Sequence, residues 1–421
     1  MGRLGWCAGA VLWLAGCGDI RLWNLDGDPP GPDAGARRIR PNPIPEENAL
    51  PGEPRWADGQ RSRQHEVDLY LSTDSASAGG SFSVRVSTSV HAEVTLEVFR
   101  LGYYGGAGAR RVWASASPLP TFPQAPCGAD ARTRRVSCNW LETARLQVGA
   151  DWVSGLYVVK AVRTDGFFRF SPLVVRDDRA AEILFGAGVN TYQAYNAWGG
   201  ASLYEDDSGT MPSGRAHEVS FDRPYDGDEG AGQQLRYESH LARFLEQHGY
   251  DVTYASNLDF VRDARLLDGI GAFVHGGHDE YLNPEQREAL DAALGRGGLS
   301  LLHFGGNGAY WRTRAVLDAR GEPRTLACYK SEPQSDPVPG STLRYRDPGV
   351  DLPESLLMGA MYDGWQTTPF PLVVHDASHW LFGGTGLRDG DLVPGLVGYE
   401  YDKVHPGVPA PVGLSFPFES P

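Results

Sequence analysis

Positive charge is in deficit in this chain, and long apolar runs are scarce. Against 53 Asp and Glu stand 38 Lys and Arg, a formal charge of −15 over 421 residues. A nucleic-acid surface needs clustered positive charge, so that class of partner drops out. The acidity names no partner in its place and mainly favours solubility. No segment is apolar over the roughly 20 residues that a membrane-spanning helix requires. Only five cysteines occur, and no two stand as C-x-x-C, so a zinc site built from them is not expected. The Gly-x-Ser-x-Gly elbow, the Walker phosphate loop and the His-Glu-x-x-His helix are also missing. Serine-hydrolase, P-loop and zincin chemistry are thereby removed. No internal repeat is visible.

Glycine (53) and proline (30) are abundant, which favours strands, turns and long loops over helical bundles. At the N-terminus Arg3 precedes an apolar run over residues 4–14, the length of a signal-peptide core. The run ends in Leu14-Ala15-Gly16-Cys17, which resembles a bacterial lipobox. Residues 1–16 are therefore expected to be a lipoprotein signal peptide, with Cys17 lipidated and the protein held in the cell envelope. Gly18 follows the cysteine where Asp could act as an inner-membrane retention signal, so outer-membrane sorting is compatible with the sequence. Residues 17–60, with prolines every few positions from Pro29 to Pro54, read as an extended tether. Export permits disulfides, and Cys127 and Cys138 flank a short polar excursion, so a bridge between them is expected. Cys328 is left over.

Residues 61–176 carry a strand pattern. Polar and apolar residues alternate in Ser81-Phe82-Ser83-Val84-Arg85-Val86-Ser87 and in Glu93-Val94-Thr95-Leu96-Glu97-Val98-Phe99. Several short strands at this spacing suggest a β-sandwich of immunoglobulin type. Residues 177–421 change to alternating strands and helices. Glu182-Ile183-Leu184-Phe185-Gly186 reads as a buried strand, residues 234–248 as an amphipathic helix stopping at Gly249, and residues 270–275 as a further strand. A helix follows with Asn283 as its cap and Pro284 in its first turn, then a strand over residues 299–304. This rhythm predicts an α/β fold, a mainly parallel sheet with helices on both faces and a ligand site beyond the carboxyl ends of its strands.

Three of those strand ends are dense in polar and aromatic residues. They are the segment 190–204 with Asn190, Tyr192, Tyr195, Asn196, Trp198 and Tyr204; then Gly276-Gly277-His278-Asp279-Glu280-Tyr281; then Gly305-Gly306-Asn307 with Tyr310 and Trp311. Alone, each has a plain structural reading: packing at a domain junction, a turn histidine, a helix cap. Together, at positions that one cleft can gather, they point to a functional site.

At these residues the sequence resembles the N,N-dimethylformamidase large-subunit family. The resemblance is carried by Arg100-Leu101-Gly102-Tyr103-Tyr104-Gly105-Gly106, Trp152-Val153-Ser154-Gly155-Leu156-Tyr157 and Gln193-Ala194-Tyr195-Asn196-Ala197-Trp198-Gly199-Gly200. It continues through Val219-Ser220-Phe221-Asp222-Arg223-Pro224-Tyr225, Gly277-His278-Asp279-Glu280-Tyr281, Gly305-Gly306-Asn307 and Gly395-Leu396-Val397-Gly398-Tyr399-Glu400. The resemblance implies a glutamine-amidotransferase-like catalytic domain and a mononuclear, non-haem iron held by two tyrosinates and one glutamate. Glu280 is the natural carboxylate; Tyr195 and Tyr225 are the best matches for the phenolates, with Tyr192 and Tyr204 as competitors. Three anionic oxygens suit a hard ferric ion, which would polarise an amide carbonyl or activate water. His278 and Glu400 could then move protons, and Asn307 could donate to the developing oxyanion. The expected activity is hydrolysis of a small amide or related C–N bond. Its expected partners are a small-molecule amide and a membrane reached through the lipid anchor, with homo-oligomerisation open. The alternative is a non-catalytic surface binding lipoprotein that keeps the family fold, which would be free of iron and colourless.

Overall fold

A computed structural model describes residues 40–204, 214–330, 332–409 and 418–419. The expected signal peptide and Cys17 lie outside the described residues. The strand Val67–Leu71, the strand Ser81–Thr88 and the strand Ala144–Gln147 form a three-stranded antiparallel sheet. It faces a seven-stranded sheet built around Ala92–Leu101, Gly155–Arg163 and Phe167–Arg176. The alternating residues Phe82, Val84 and Val86 meet Val94, Leu96 and Val98 between the sheets, with Tyr157 and Val159 beside them.

The larger sheet is buried on its other face as well. Phe99, Leu156, Val158, Phe168 and Phe170 join Phe185, Tyr254 and Val274 of the later chain in one core. That double burial explains why Leu156-Tyr157-Val158-Val159 is continuously apolar where a half-exposed strand would alternate. Arg100 seals the junction: its guanidinium, fully buried, gives Nη1 to Glu246 Oε2 (2.8 Å) and Nη2 to Glu246 Oε1 (2.7 Å). Glu246 sits on the helix Ser239–Gln247, which a π turn over Gln234–Glu238 precedes and Gly249, at φ +71°, follows.

The later chain departs from the expected architecture. Parallel pairing occurs in a four-stranded sheet, ordered Val252–Ser256, Ile183–Ala187, Ala272–His275, Ser300–His303. Beyond it the chain turns back on itself. Arg314–Leu317 pairs antiparallel with Pro323–Ala327, and Met361–Val374 pairs antiparallel with Leu392–Lys403 as a long ribbon. Residues 318–322 are too few for the crossover that a parallel pair needs, so a hairpin is the only connection open to them. Strand outweighs helix, 35% to 17%, in many small mixed and antiparallel sheets. The fold is thus neither the mainly parallel α/β class that the strand–helix rhythm predicts nor the glutamine-amidotransferase-like domain that the resemblance implies.

Part of the stretch read as a tether is packed. The helix Ile44–Asn48 buries Ile44, and Glu47 takes hydrogen bonds from Tyr104 Oη (2.6 Å) and Arg110 Nε (2.8 Å). Asn48 Oδ1 accepts the backbone N–H of Tyr103 (2.7 Å). Low overall apolarity concealed one buried isoleucine and two polar side chains with partners distant in sequence. Cys127 and Cys138 are joined by a disulfide, and Cys328 is a buried free thiol.

Candidate functional site

Three strand ends of the parallel sheet build the site. Ile183–Ala187 runs through Gly188 into the helix Val189–Tyr195, which presents Tyr195 at its last position. The loop that follows is laced from below by buried Arg223, which donates to the carbonyls of Asn196 (2.8 Å), Trp198 (2.9 Å) and Ala201 (2.8 Å). This returns Tyr204 beside Tyr195, their rings stacked at 4.4 Å. Ala272–His275 ends in Gly276-Gly277 and delivers His278, Asp279, Glu280 and Tyr281. Ser300–His303 ends at Gly305-Gly306-Asn307. A Cβ on Gly305 would stand 2.4 Å from Gly277 O, and one on Gly306 would stand 2.5 Å from Glu400 O. Glycine is needed at both because backbone packs on backbone there. The strand Leu392–Lys403 of the ribbon thereby lays Glu400 against the cluster.

Glu280 is the hub. Its carboxylate accepts from Tyr195 Oη (2.8 Å) and from Tyr204 Oη (2.7 Å to each oxygen). His278 Nε2 lies 3.2 Å from both Tyr195 Oη and Glu280 Oε2, and its Nδ1 lies 2.9 Å from Glu400 Oε2. Tyr281 donates to Tyr204 Oη at 2.5 Å. Lys330 Nζ sits 3.3 Å from the centroid of the Tyr204 ring and 5.1 and 5.3 Å from those of Tyr281 and Trp311. Asp279 lies below this layer, beside His275 (2.8 Å) and accepting from Asn257 (3.0 Å). It is part of the buried support and does not cap the following helix.

Burial and then the Glu280 charge push both phenols far above their ordinary range, with Glu400 adding to Tyr195. Burial opposes charge on Glu280, yet His278 and then Lys330 outweigh it and hold the carboxyl below its usual value. Burial alone would lower the His278 pKa, but hydrogen bonds to Glu280 and Glu400 raise it well above normal. Burial depresses the Lys330 ammonium to about 8. The phenols are therefore neutral donors to a carboxylate here, and they would ionise only if a cation took the place of their protons.

Two phenol oxygens and a carboxylate gathered at hydrogen-bond distance form a hard, all-oxygen donor set of the kind ferric iron takes. The residues present fit that ion. Among the described residues no group of three or more His, Cys, Asp and Glu side chains is arranged to hold a metal, so the set depends on the phenols.

The site brings together Tyr195, Glu280, His278 and Glu400, with Tyr204 in place of Tyr225. Buried Tyr225 accepts from Arg169 through its carbonyl (2.7 Å) and lines a separate cavity of about 20 Å³ with Tyr70, Asp74, Gln234 and Arg324. Tyr192 is also buried elsewhere, its phenol raised by burial and then by Glu238. Asn307 reaches the edge of the cluster: its backbone N–H donates to Asp402 Oδ1 (2.6 Å), and its side-chain Oδ1 has no partner among the described residues. Sequence reasoning missed Lys330, a lone cation just beyond the buried strand Pro323–Ala327, and Asp402, which burial lifts to about 7.

The fold and site define a strand-rich protein whose parallel strand ends hold a buried, oxygen-lined acid–base cluster. The chain belongs to the N,N-dimethylformamidase beta subunit-like, C-terminal family, matched over residues 95–420. No curated protein matches it. Among solved structures it is similar over 29% of its length to the sulfur carrier protein SoxY from Chlorobium limicola f thiosulfatophilum, covering 90% of that chain at 12% identity and TM-score 0.17. It also matches the cellulose-active LPMO CelS2 in complex with copper, covering 24% of this chain and 51% of that one at 15% identity and TM-score 0.16. A Paenibacillus cycloisomaltooligosaccharide glucanotransferase matches over 47% of this chain and 27% of its own, at 9% identity and TM-score 0.18. At those scores the structural likenesses carry no argument.

Proposed function

We propose that the chain is an iron-dependent hydrolase of a small amide or related C–N bond, lipid-anchored at Cys17 in the bacterial cell envelope. Family membership supports the hydrolase class. The observation that carries the reading is the convergence of Tyr195 and Tyr204 on Glu280, with the His278–Glu400 pair alongside. Tyr195, Tyr204 and Glu280 would hold the iron, which would polarise the amide carbonyl and acidify water. His278 bridges the phenol–carboxylate layer and Glu400, so its two nitrogens offer a path for a proton between the reacting centre and Glu400. Asn307, its buried side-chain oxygen uncommitted, could orient a polar substrate group. Lys330, whose pKa burial lowers to about 8, lies against the Tyr204 ring and while protonated favours negative charge on that phenol.

Purified protein supplied with ferric citrate is expected to take up one iron and develop a tyrosinate-to-iron absorption band. Glu280→Ala should lose most of the metal and melt at a lower temperature but still in one cooperative transition, and Tyr195→Phe and Tyr204→Phe should weaken metal binding. Tyr225→Phe should leave iron content unchanged. Full metal content in Glu280→Ala and Tyr204→Phe would reject the ligand set and favour a non-catalytic binding protein.

A further inference from the structure

We propose that Tyr281 is a positioning residue for this site, holding Tyr204 through its hydroxyl and setting how strongly that phenol donates to a bound ferric ion. This rests on the iron reading above. Tyr204 has a single hydroxyl hydrogen, and both Glu280 oxygens lie 2.7 Å from it as acceptors. The hydrogen in the 2.5 Å contact between Tyr281 Oη and Tyr204 Oη therefore belongs to Tyr281. When a cation replaces the Tyr204 proton, the donation from Tyr281 remains and falls on a phenolate, where a hydrogen bond is stronger than on a neutral oxygen.

Tyr281 is built to stay in place. It is fully buried, and the strand Tyr281–Leu282 pairs with Trp311–Arg312. Its carbonyl accepts from Asn190 Nδ2 (3.1 Å), and its N–H reaches Thr191 Oγ1 (3.4 Å). Its ring stands edge-on to those of Tyr195 (6.4 Å) and Tyr204 (6.3 Å). A donor fixed this way cannot swing off as Tyr204 changes charge. Tyr195 differs in that Tyr281 does not hydrogen-bond its hydroxyl, which donates to Glu280 and lies 3.2 Å from His278 Nε2. The two phenols thus have different donors, Tyr281 for Tyr204 and the His278 imidazole for Tyr195.

The test uses the full chain loaded with ferric citrate and reads its visible spectrum beside Tyr281→Phe. Tyr345→Phe serves as control, since that hydroxyl bonds Leu282 O (3.3 Å) outside the cluster. Removing the Tyr281 hydroxyl raises the energy of the Tyr204 lone pairs. Tyr281→Phe should therefore bind as much iron as wild type with its charge-transfer band moved to longer wavelength, while Tyr345→Phe keeps the wild-type band. Full iron with an unmoved band in Tyr281→Phe overturns the role of Tyr281 and leaves the iron reading intact. A wild type with no band overturns both. If Tyr281→Phe fails to fold, resonance Raman of the wild type decides: the phenolate C–O stretch should shift between H2O and D2O, and no shift overturns the proposal.

Discussion

Glu238 shows what burial does to a single side chain. It is buried, accepts the Gly188 N–H at 2.7 Å, and is lifted by burial from 4.5 to about 8. Between those values the folded protein holds a proton that the unfolded chain has released. Stability must then fall as pH rises through that window, by about 1.4 kcal/mol per pH unit from this group. Glu238→Gln cannot lose a proton, so its stability should decline less between pH 5.5 and pH 8. Urea unfolding at both values checks this, and equal declines in mutant and wild type would reject it. Side chains of this kind could not be read from the sequence. Glu238 looks like any helix-surface glutamate, and Lys330 like any isolated cation, until the fold removes water from around them. Tyr195, Glu280, His278 and Glu400 were legible because each stands in a compact motif at a strand end or on a short polar–aromatic run. The sequence reading placed Tyr225 ahead of Tyr204, and the structure puts Tyr204 on Glu280 instead, since which tyrosine faces that carboxylate depends on how Arg223 laces a loop.

At the scale of elements, the ribbon Met361–Val374 with Leu392–Lys403 matters most, because it supplies Glu400 from outside the parallel sheet. Its docking depends on Gly306, where an added Cβ would lie 2.5 Å from Glu400 O and 2.8 Å from Glu400 C. Gly306→Ala should push the strand away at a cost of about 1–3 kcal/mol. It should also draw Glu400 off His278, so the raised imidazole pKa should fall toward its ordinary value. NMR titration of His278 reads this, and an unchanged titration would show that the strand absorbs the methyl without moving Glu400. The strands Ile183–Ala187, Ala272–His275 and Ser300–His303 were legible as apolar runs closed by glycines. The ribbon was not, because its middle is exposed on both faces, including Trp365 and Phe370, and shows no simple alternation.

Across the whole molecule, the sandwich and the later chain share one core, and Arg100–Glu246 is a fully buried ion pair inside it. Tyr254 Oη (2.8 Å) and Asn48 Nδ2 (2.8 Å) also donate to Glu246, so two segments distant in sequence and the neighbouring strand meet at one carboxylate. Glu246→Ala would leave a buried guanidinium without its counter-charge, a loss of about 3–5 kcal/mol. Both parts should then melt earlier in one transition. Two separated transitions, with only one moved, would show that they unfold independently. The sequence by itself determined what is local: alternating strands, glycine-ended apolar runs, the cap and first turn at Asn283-Pro284, and the motifs that identify the family. Those signals depend on neighbours along the chain and need no knowledge of what lies across space. Tertiary structure alone decided that the sheets are many and mixed, that residues 44–48 pack, and that Tyr204 joins Tyr195 on Glu280. The last two are settled by burial and by partners 55 to 85 positions away, where the loss of water, and not the residue type, sets the energy.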